Sequence, residues 1–139
     1  MWSKTDWRRR VSIVAVVVAL SAWLAVAPAS AGHTSDSWCT PTSESGCVWA
    51  SISVAGDTIT AKGSTYSWYL GTIHVEKTIY QNGVRRWHDS NVCEPLESSC
   101  RVPTTIMTQC GPGTWRNTVR GWRQGGSQAA TVSVADLVF

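Results

Sequence analysis

Five cysteines carry the most specific chemistry in this sequence: Cys39, Cys47, Cys93, Cys100 and Cys110. The first two flank one short polar loop and the next two flank another. Loops of this length close at a modest entropic cost, so we predict disulfides Cys39–Cys47 and Cys93–Cys100. Spacing alone does not decide connectivity. Cys110 is left over, as a free thiol, a link between two chains, or a residue that displaces one of these partners.

Metal and cofactor sites are not indicated. Structural zinc sites use closely spaced Cys-x2-Cys pairs, which are absent here, and His33, His74 and His88 are scattered. Gly111-Pro112-Gly113 lacks the lysine and helix that follow a phosphate-binding loop. We therefore predict no cofactor.

A catalytic arrangement would need a nucleophile with a base in reach. His74 and His88 could lie on facing strands, with Glu76 and Asp89 near them in sequence. No Gly-x-Ser-x-Gly or His-Glu-x-x-His motif accompanies them. Polar positions on a hairpin explain these residues better than a hydrolase does, so we predict that the protein is not an enzyme.

Tryptophan and arginine supply the candidate binding residues. Along the predicted strand 114–122, Trp115 has the parity of Val119, and Arg116, Arg120 and Trp122 have the other. If Trp115 points inward, the other three line an outer face that could stack on a sugar ring or grip a carboxylate. The alternative is a solvated sheet face with one edge tryptophan.

Two further tryptophans carry separate expectations. Trp49 lies on the polar parity of its strand and is a second candidate stacking platform, unless a neighbouring loop covers it. Trp87, like Trp115, is expected in the core, because tryptophan buries a large area.

The elements that position these residues read as strands. Apolar residues alternate with polar ones in 48–54, 102–108 and 114–122, and 128–138 forms a last strand. A short strand over 58–61 is expected to end at Gly63. The run 66–80 reads as one extended segment in which Gly71 marks a bulge.

Asn82-Gly83 predicts a tight hairpin, because both residues tolerate positive φ. A two-residue loop would place Thr78 opposite Trp87 and a three-residue loop would place Lys77 there, so the register stays open. About seven short strands favour a single antiparallel β-sandwich over residues 32–139. A small β-barrel is the alternative.

Residues 1–31 have the composition of a helical secretory signal peptide. A cationic start precedes the apolar run 11–27, and Ala29-Ser30-Ala31 is a small-residue cleavage site. An uncleaved membrane anchor is the alternative, although the run is short for a membrane span. The segment holds four of the 12 lysines and arginines and one of the nine acids, so residues 32–139 are formally neutral. A nucleic-acid partner is therefore not predicted.

The corner Cys110-Gly111-Pro112-Gly113-Thr114-Trp115-Arg116 resembles the Gly-Thr-Tyr corner of bacterial immunoglobulin-like modules. Together with the hairpin return Gly83-Val84-Arg85-Arg86-Trp87, it resembles small secreted proteins of high-GC Gram-positive bacteria. The resemblance covers about residues 73–122 and has tryptophan where the corner usually has tyrosine. It implies a sandwich and secretion, and it implies no activity.

These observations predict a secreted, disulfide-stabilised module that binds an extracellular protein or polysaccharide. A carbohydrate-binding module using exposed tryptophan is one alternative. A protease inhibitor presenting the Cys93–Cys100 loop is another, and a small hydrolase has the least support. Contact with the membrane is expected only through the signal peptide, and Cys110 could link two copies.

Overall fold

The computed structural model describes residues 31–41, 46–68, 71–94 and 99–139. Their eight strands are β1 (Ala31–Cys39), β2 (Cys47–Ala55), β3 (Thr58–Tyr66), β4 (Ile73–Gln81), β5 (Val84–Cys93), β6 (Ser99–Met107), β7 (Gly113–Arg123) and β8 (Ala129–Val138). They form two antiparallel sheets. The first sheet has the order β1-β2-β3-β6 and the second sheet has the order β5-β4-β7-β8. The predicted sandwich is confirmed, and the barrel alternative is wrong because the two sheets stay separate. The predicted signal peptide falls on residues 1–30, which lie outside the described residues, and on Ala31.

The hydrophobic core lies between the sheets and follows the period-two alternation of the strands. On β2, Val48, Ala50, Ile52 and Val54 are all buried. The second sheet contributes its own inward row, which includes Ile73, Val75, Ile79 and Val119. Packing two such faces removes the apolar side chains from water, which is the main favourable term in folding.

One strand more than expected is present, because the sequence pattern did not reveal β1. This strand pairs with β2 along its whole length, from Ala31 opposite Ala55 to Cys39 opposite Cys47. Its residues are mostly polar and do not alternate, since an edge strand covers little of the core.

The sequence predicted that the strand after the turn at 55–57 ends at Gly63, and this prediction is wrong. β3 runs on to Tyr66, and a Cβ atom added at Gly63 would lie 2.5 Å from the Cγ2 atom of Val119 on the opposite sheet. The glycine therefore permits close approach of the two sheets and leaves the strand intact.

The single extended segment predicted over 66–80 is wrong. β3 ends at Tyr66 in the first sheet, and the next strand begins at Ile73 in the second sheet. Gly71, with φ of 149°, lies in the connection that crosses between the sheets and marks no bulge. Residue types that favour extended backbone do not show where a chain changes sheets.

The hairpin at Asn82-Gly83 is confirmed, with φ of 50° and 82° at the two turn residues. Its register matches neither expectation. A bulge between Ile79 and Tyr80 places Trp87 opposite Ile79. Trp87 is 47% exposed, so its expected place in the core is wrong. The physical reason is its position on β5, an edge strand that the first sheet covers only in part.

Two buried polar side chains secure a bulge in β6. Where Lys62 of β3 faces both Pro103 and Thr104, the ladder shifts by one residue. The Lys77 Nζ atom, buried in the core, donates to the carbonyls of Ala61 (3.2 Å) and Pro103. Asn117 Nδ2 donates to the carbonyls of Ser51 and Lys62, both at 2.9 Å. Carbonyls near the irregular ladder thus find partners from the opposite sheet.

Trp115 is buried, as predicted, and shares its inward face with Val119. Its indole Nε1 donates to the Gly111 carbonyl at 3.0 Å, four residues upstream. This bond closes the corner between β6 and β7. The indole N–H thus makes the bond to upstream backbone that a hydroxyl makes in a tyrosine corner.

Both predicted disulfides are present. Cys39–Cys47 fastens β1 to β2 within the first sheet. Cys93–Cys100 joins the end of β5 in the second sheet to the start of β6 in the first. Cys110 is free and buried, and its Sγ donates to the Met107 carbonyl at 3.4 Å.

Candidate functional site

The outer face of the first sheet carries a shallow depression of about 360 Å³ around Trp49. Trp49 is half-buried there, on the side of β2 away from the core. Ser64 lies opposite Trp49 on β3, and Arg101 lies opposite Ser64 on β6. Lys62 and Thr104 line the same depression. Five side chains from three strands thus surround one concave surface.

The β6 bulge decides which side chains reach this depression. An uninterrupted alternation from Arg101 would point Pro103 and Thr105 outward. The extra residue leaves Thr104 exposed and turns Thr105 back into the core. The bulge therefore adds a hydroxyl to the outer face beside Arg101 and Lys62.

The electrostatics of the depression are cationic. Lys62 and Arg101 are both exposed, and none of the described residues that line the depression is acidic. Neither side chain forms an ion pair with a residue in the described part of the chain. An indole ring, two free cations and two hydroxyls are therefore available to a ligand.

The second sheet carries the other predicted residues on its own outer face. His74 stacks on Trp122 with ring centroids 5.2 Å apart and an interplanar angle of 5°. The Arg120 guanidinium lies 4.7 Å from the indole centroid, and its Nη1 is 3.6 Å from Glu76 Oε1. His74 Nε2 is in turn 3.2 Å from Gln124 Oε1. Trp122 and Arg120 thus already contact neighbouring side chains of their own sheet.

The structure does not bring the four predicted binding residues together. Trp49 lies on one outer face of the sandwich, and Arg116, Arg120 and Trp122 lie on the other. Arg116 is four residues from Arg120, about 13 Å along the strand. Between them, Thr118 Oγ1 lies 2.8 Å from Ser133 Oγ. Arg116 therefore stands apart from the Trp122 cluster.

Sequence reasoning found Trp49 but missed its neighbours Lys62, Ser64, Arg101 and Thr104. The alternation of β3 would have placed Lys62 and Ser64 outward, had Gly63 not been interpreted as the end of the strand. Arg101 and Thr104 carry no such local signal, because they reach the site through the distant pairing of β3 with β6.

The histidines do not form a catalytic group with each other. His74 pairs with Val92, whereas His88 pairs with Thr78, so the two lie four residues apart along the β4–β5 ladder. His88 Nδ1 is 3.0 Å from Thr78 Oγ1, on the outer face of the sheet. Asp89 follows on the opposite parity, beside the buried Lys77.

The inhibitory loop envisaged between Cys93 and Cys100 falls partly on residues 95–98, which lie outside the described residues. Arg101 just beyond it is paired with Ser64 in the ladder, and its carbonyl accepts a 2.9 Å bond from Asn91 Nδ2. A strand-paired backbone does not present itself to a protease as an exposed loop does.

Over the ranges described, no cluster of three or more histidine, cysteine, aspartate or glutamate residues could hold a metal ion. The same ranges contain no helix that is long and apolar enough to cross a membrane. Comparison with protein families, curated proteins and solved structures gives no match. The resemblance to immunoglobulin-like proteins of high-GC bacteria therefore stays a prediction.

Proposed function

We propose that this protein is a secreted, non-catalytic module that binds anionic carbohydrate in the depression around Trp49. The observation that carries the proposal is the placement of Trp49, Lys62 and Arg101 around one concave surface. The volume is near the lower end of the ~300–1,000 Å³ typical of small-molecule pockets, which suits one or two sugar rings of a polymer.

Trp49 supplies the apolar part of such a site. A sugar ring presents C–H groups on its faces, and an indole offers a large rigid surface against which they pack. Ser64 and Thr104 supply hydroxyl groups that donate to and accept from sugar hydroxyls. Trp122 suits this role less well, because His74 and Arg120 already lie against its ring.

Lys62 and Arg101 specify the charge of the ligand. An arginine fork pairs with carboxylate or phosphate through two parallel hydrogen bonds, and the lysine adds a point charge. Because the described lining of the depression holds two cations and no acid, it favours a polymer with uronate or phosphodiester groups over a neutral glucan.

The export part of the proposal rests on residues 1–31 and on the disulfides. A cationic, apolar and small-residue segment is the pattern of a cleaved signal peptide. The two disulfides support an oxidising compartment, where such bonds persist.

The strand order supports an immunoglobulin-like assignment of the sandwich. In such domains the sheets combine strands A, B and E on one side and C, F and G on the other. Strands β2, β3 and β6 occupy the A-B-E positions, and β4, β7 and β8 occupy C-F-G. Here β1 adds an outer strand to one sheet and β5 to the other.

The experiment compares three polymers in affinity electrophoresis at low ionic strength: polygalacturonate, a poly(glycerol phosphate) and a neutral glucan. We expect retardation by one or both anionic polymers and none by the glucan. Trp49→Ala and Arg101→Gln should each weaken binding by about tenfold or more, as loss of a stacking or charge-paired anchor does.

Matched controls lie elsewhere on the surface. Trp87→Ala removes another exposed indole, and Arg116→Gln removes another exposed arginine, so both should leave binding unchanged. Binding that Trp122→Ala abolishes and Trp49→Ala preserves would move the site to the second sheet. Failure of all three polymers to bind would overturn the proposal.

A further inference from the structure

Asp136 places a carboxylate on the inward row of β8, whose other members are apolar. On β8, Ala130, Val132, Val134 and Val138 are buried on the inward row, and Asp136 has their parity. Its Oδ1 accepts a 2.8 Å bond from the Leu137 amide. Its Oδ2 is buried and has no hydrogen-bond partner in the described part of the chain. A buried carboxylate oxygen without a partner is costly.

Gly32 of β1 lies directly against this orphaned oxygen. A Cβ atom added at Gly32 would lie 2.0 Å from Asp136 Oδ2 and 2.8 Å from Oδ1. The nitrogen of a residue is about 2.5 Å from its Cβ position by covalent geometry, which places the Gly32 nitrogen within about 4.5 Å of Oδ2. In the uncleaved chain this nitrogen is a neutral amide.

We propose that the α-ammonium group released at Gly32 by removal of the signal peptide pairs with Asp136. The proposal rests on the export part of the proposed function. A signal peptidase hydrolyses the Ala31–Gly32 peptide bond: water gives its oxygen to the Ala31 carbonyl carbon, which becomes a carboxylate, and the freed Gly32 nitrogen takes up protons to become –NH3+. The Asp136 carboxylate thus forms an ion pair with the new amino terminus.

The chemistry of both partners fits this pairing. An ammonium group has three donors, so it can bond to Asp136 and still donate to the β1–β2 ladder. No lysine, arginine or histidine within the described ranges forms an ion pair with Asp136. Retaining one extra residue would move the charge about 3.3 Å along the strand, away from the carboxylate. Cleavage one bond earlier would therefore not bring the new ammonium group to Asp136.

The test compares chains that differ only at the amino terminus. Residues 32–139 retain both sheets, because they keep every described strand residue except Ala31. Three oxidised proteins are prepared: one beginning at Gly32 with a free amine, one with that amine acetylated, and one beginning at Ala31. We expect the Tm of the first to exceed that of the other two by about 5 °C. The protein exported from the full chain should begin at Gly32 by mass spectrometry.

Two substitutions make the result specific. Asp136→Asn should abolish the Tm difference between the free and acetylated forms. Asp36→Asn is the matched control, because Asp36 also accepts the next residue's amide but is exposed, and it should preserve the difference. Equal Tm values for the free and acetylated wild-type chains would overturn the proposal. This comparison uses only the wild-type sequence, so it does not require that an Asp136 variant folds. Since no carbohydrate is involved, the outcome is independent of the binding proposal.

Discussion

At the scale of single residues, Lys77 is the most unusual feature of the core. It is fully buried and satisfies two backbone carbonyls of the first sheet. Burial lowers the pKa of its ammonium group from 10.5 to about 8, against an opposing contribution from Asp89, which faces it on β5. Lys77 therefore stabilises the geometry of the β6 bulge while its charge opposes folding.

We predict that Lys77 makes the protein more stable as the pH rises from about 8 to 10.5. In that range the unfolded chain binds more protons at this residue than the native chain does, so deprotonation favours the native state. Below pH 8 both states are protonated and the penalty is constant. The shift corresponds to about 3 kcal/mol in the free energy of unfolding.

Urea unfolding across this pH range measures the effect. A Cys110→Ser background prevents thiol–disulfide exchange at high pH. Lys77→Met should remove the rise, whereas Lys62→Met changes an exposed lysine and should retain it. A flat profile in the Cys110→Ser protein itself would contradict the prediction.

At the scale of secondary-structure elements, the pairing of β3 with β6 builds the candidate site. The bulge at Pro103-Thr104 directs Thr104 outward, and the register brings Arg101 beside Ser64. The inward side of the same strands packs closely on β7, where Gly63 meets Val119 and Gly121 meets Thr65. The β3–β6 pair thus carries the candidate site on its outer side and a close contact with the second sheet on its inner side.

We predict that Gly63→Ala destabilises the protein by about 1–3 kcal/mol, because its new methyl group would overlap the Val119 side chain. Val119→Ala removes the atoms that cause this overlap and leaves the Val119 Cβ 3.5 Å away. The double variant should therefore lose less stability in urea unfolding than the two single variants together.

Gly83→Ala provides the control for this cycle. Gly83 has positive φ and no atom within 4 Å of an added Cβ, so its substitution strains the turn without touching the core. Its effect should add to that of Val119→Ala. If the stability losses of Gly63→Ala and Val119→Ala simply add in the double variant, the prediction is contradicted. The sheets would then relax around the new methyl group.

At the scale of the whole molecule, the five cysteines have three roles. One disulfide links β1 to β2, the other links the two sheets, and Cys110 is a buried free thiol. Cys110 is only 8% exposed, and burial raises the pKa of its thiol. Its amide also donates to the Asp57 carbonyl at 2.8 Å, which ties the β6–β7 corner to the β2–β3 turn. A buried, protonated thiol is poorly placed to link two chains.

We predict that the native oxidised protein exposes no reactive thiol and that the unfolded protein exposes one. Titration with a thiol reagent before and after addition of denaturant counts them, and electrophoresis without reductant should show a monomer. Rapid labelling of the native protein, or a dimer that reductant separates, would contradict this prediction.

The sequence by itself determined the all-β class and the Asn82-Gly83 hairpin, and it favoured the two disulfides that the fold contains. These depend on local physics: period-two alternation selects the buried face of a strand, a short loop favours closure by its flanking cysteines, and only some residues tolerate positive φ. Trp49 was also assigned to an outer face correctly, because the parity of β2 is unambiguous.

Only the tertiary structure decided which residues surround Trp49 and which neighbour Gly32. Arg101 lies near Trp49 because β6 returns to the first sheet and pairs with β3. Asp136 of the second sheet lies against Gly32 of the first sheet. Contacts between residues distant in sequence depend on register, bulges and the approach of the sheets. Residue type and spacing report these only weakly, because each is set by the packing of the whole molecule.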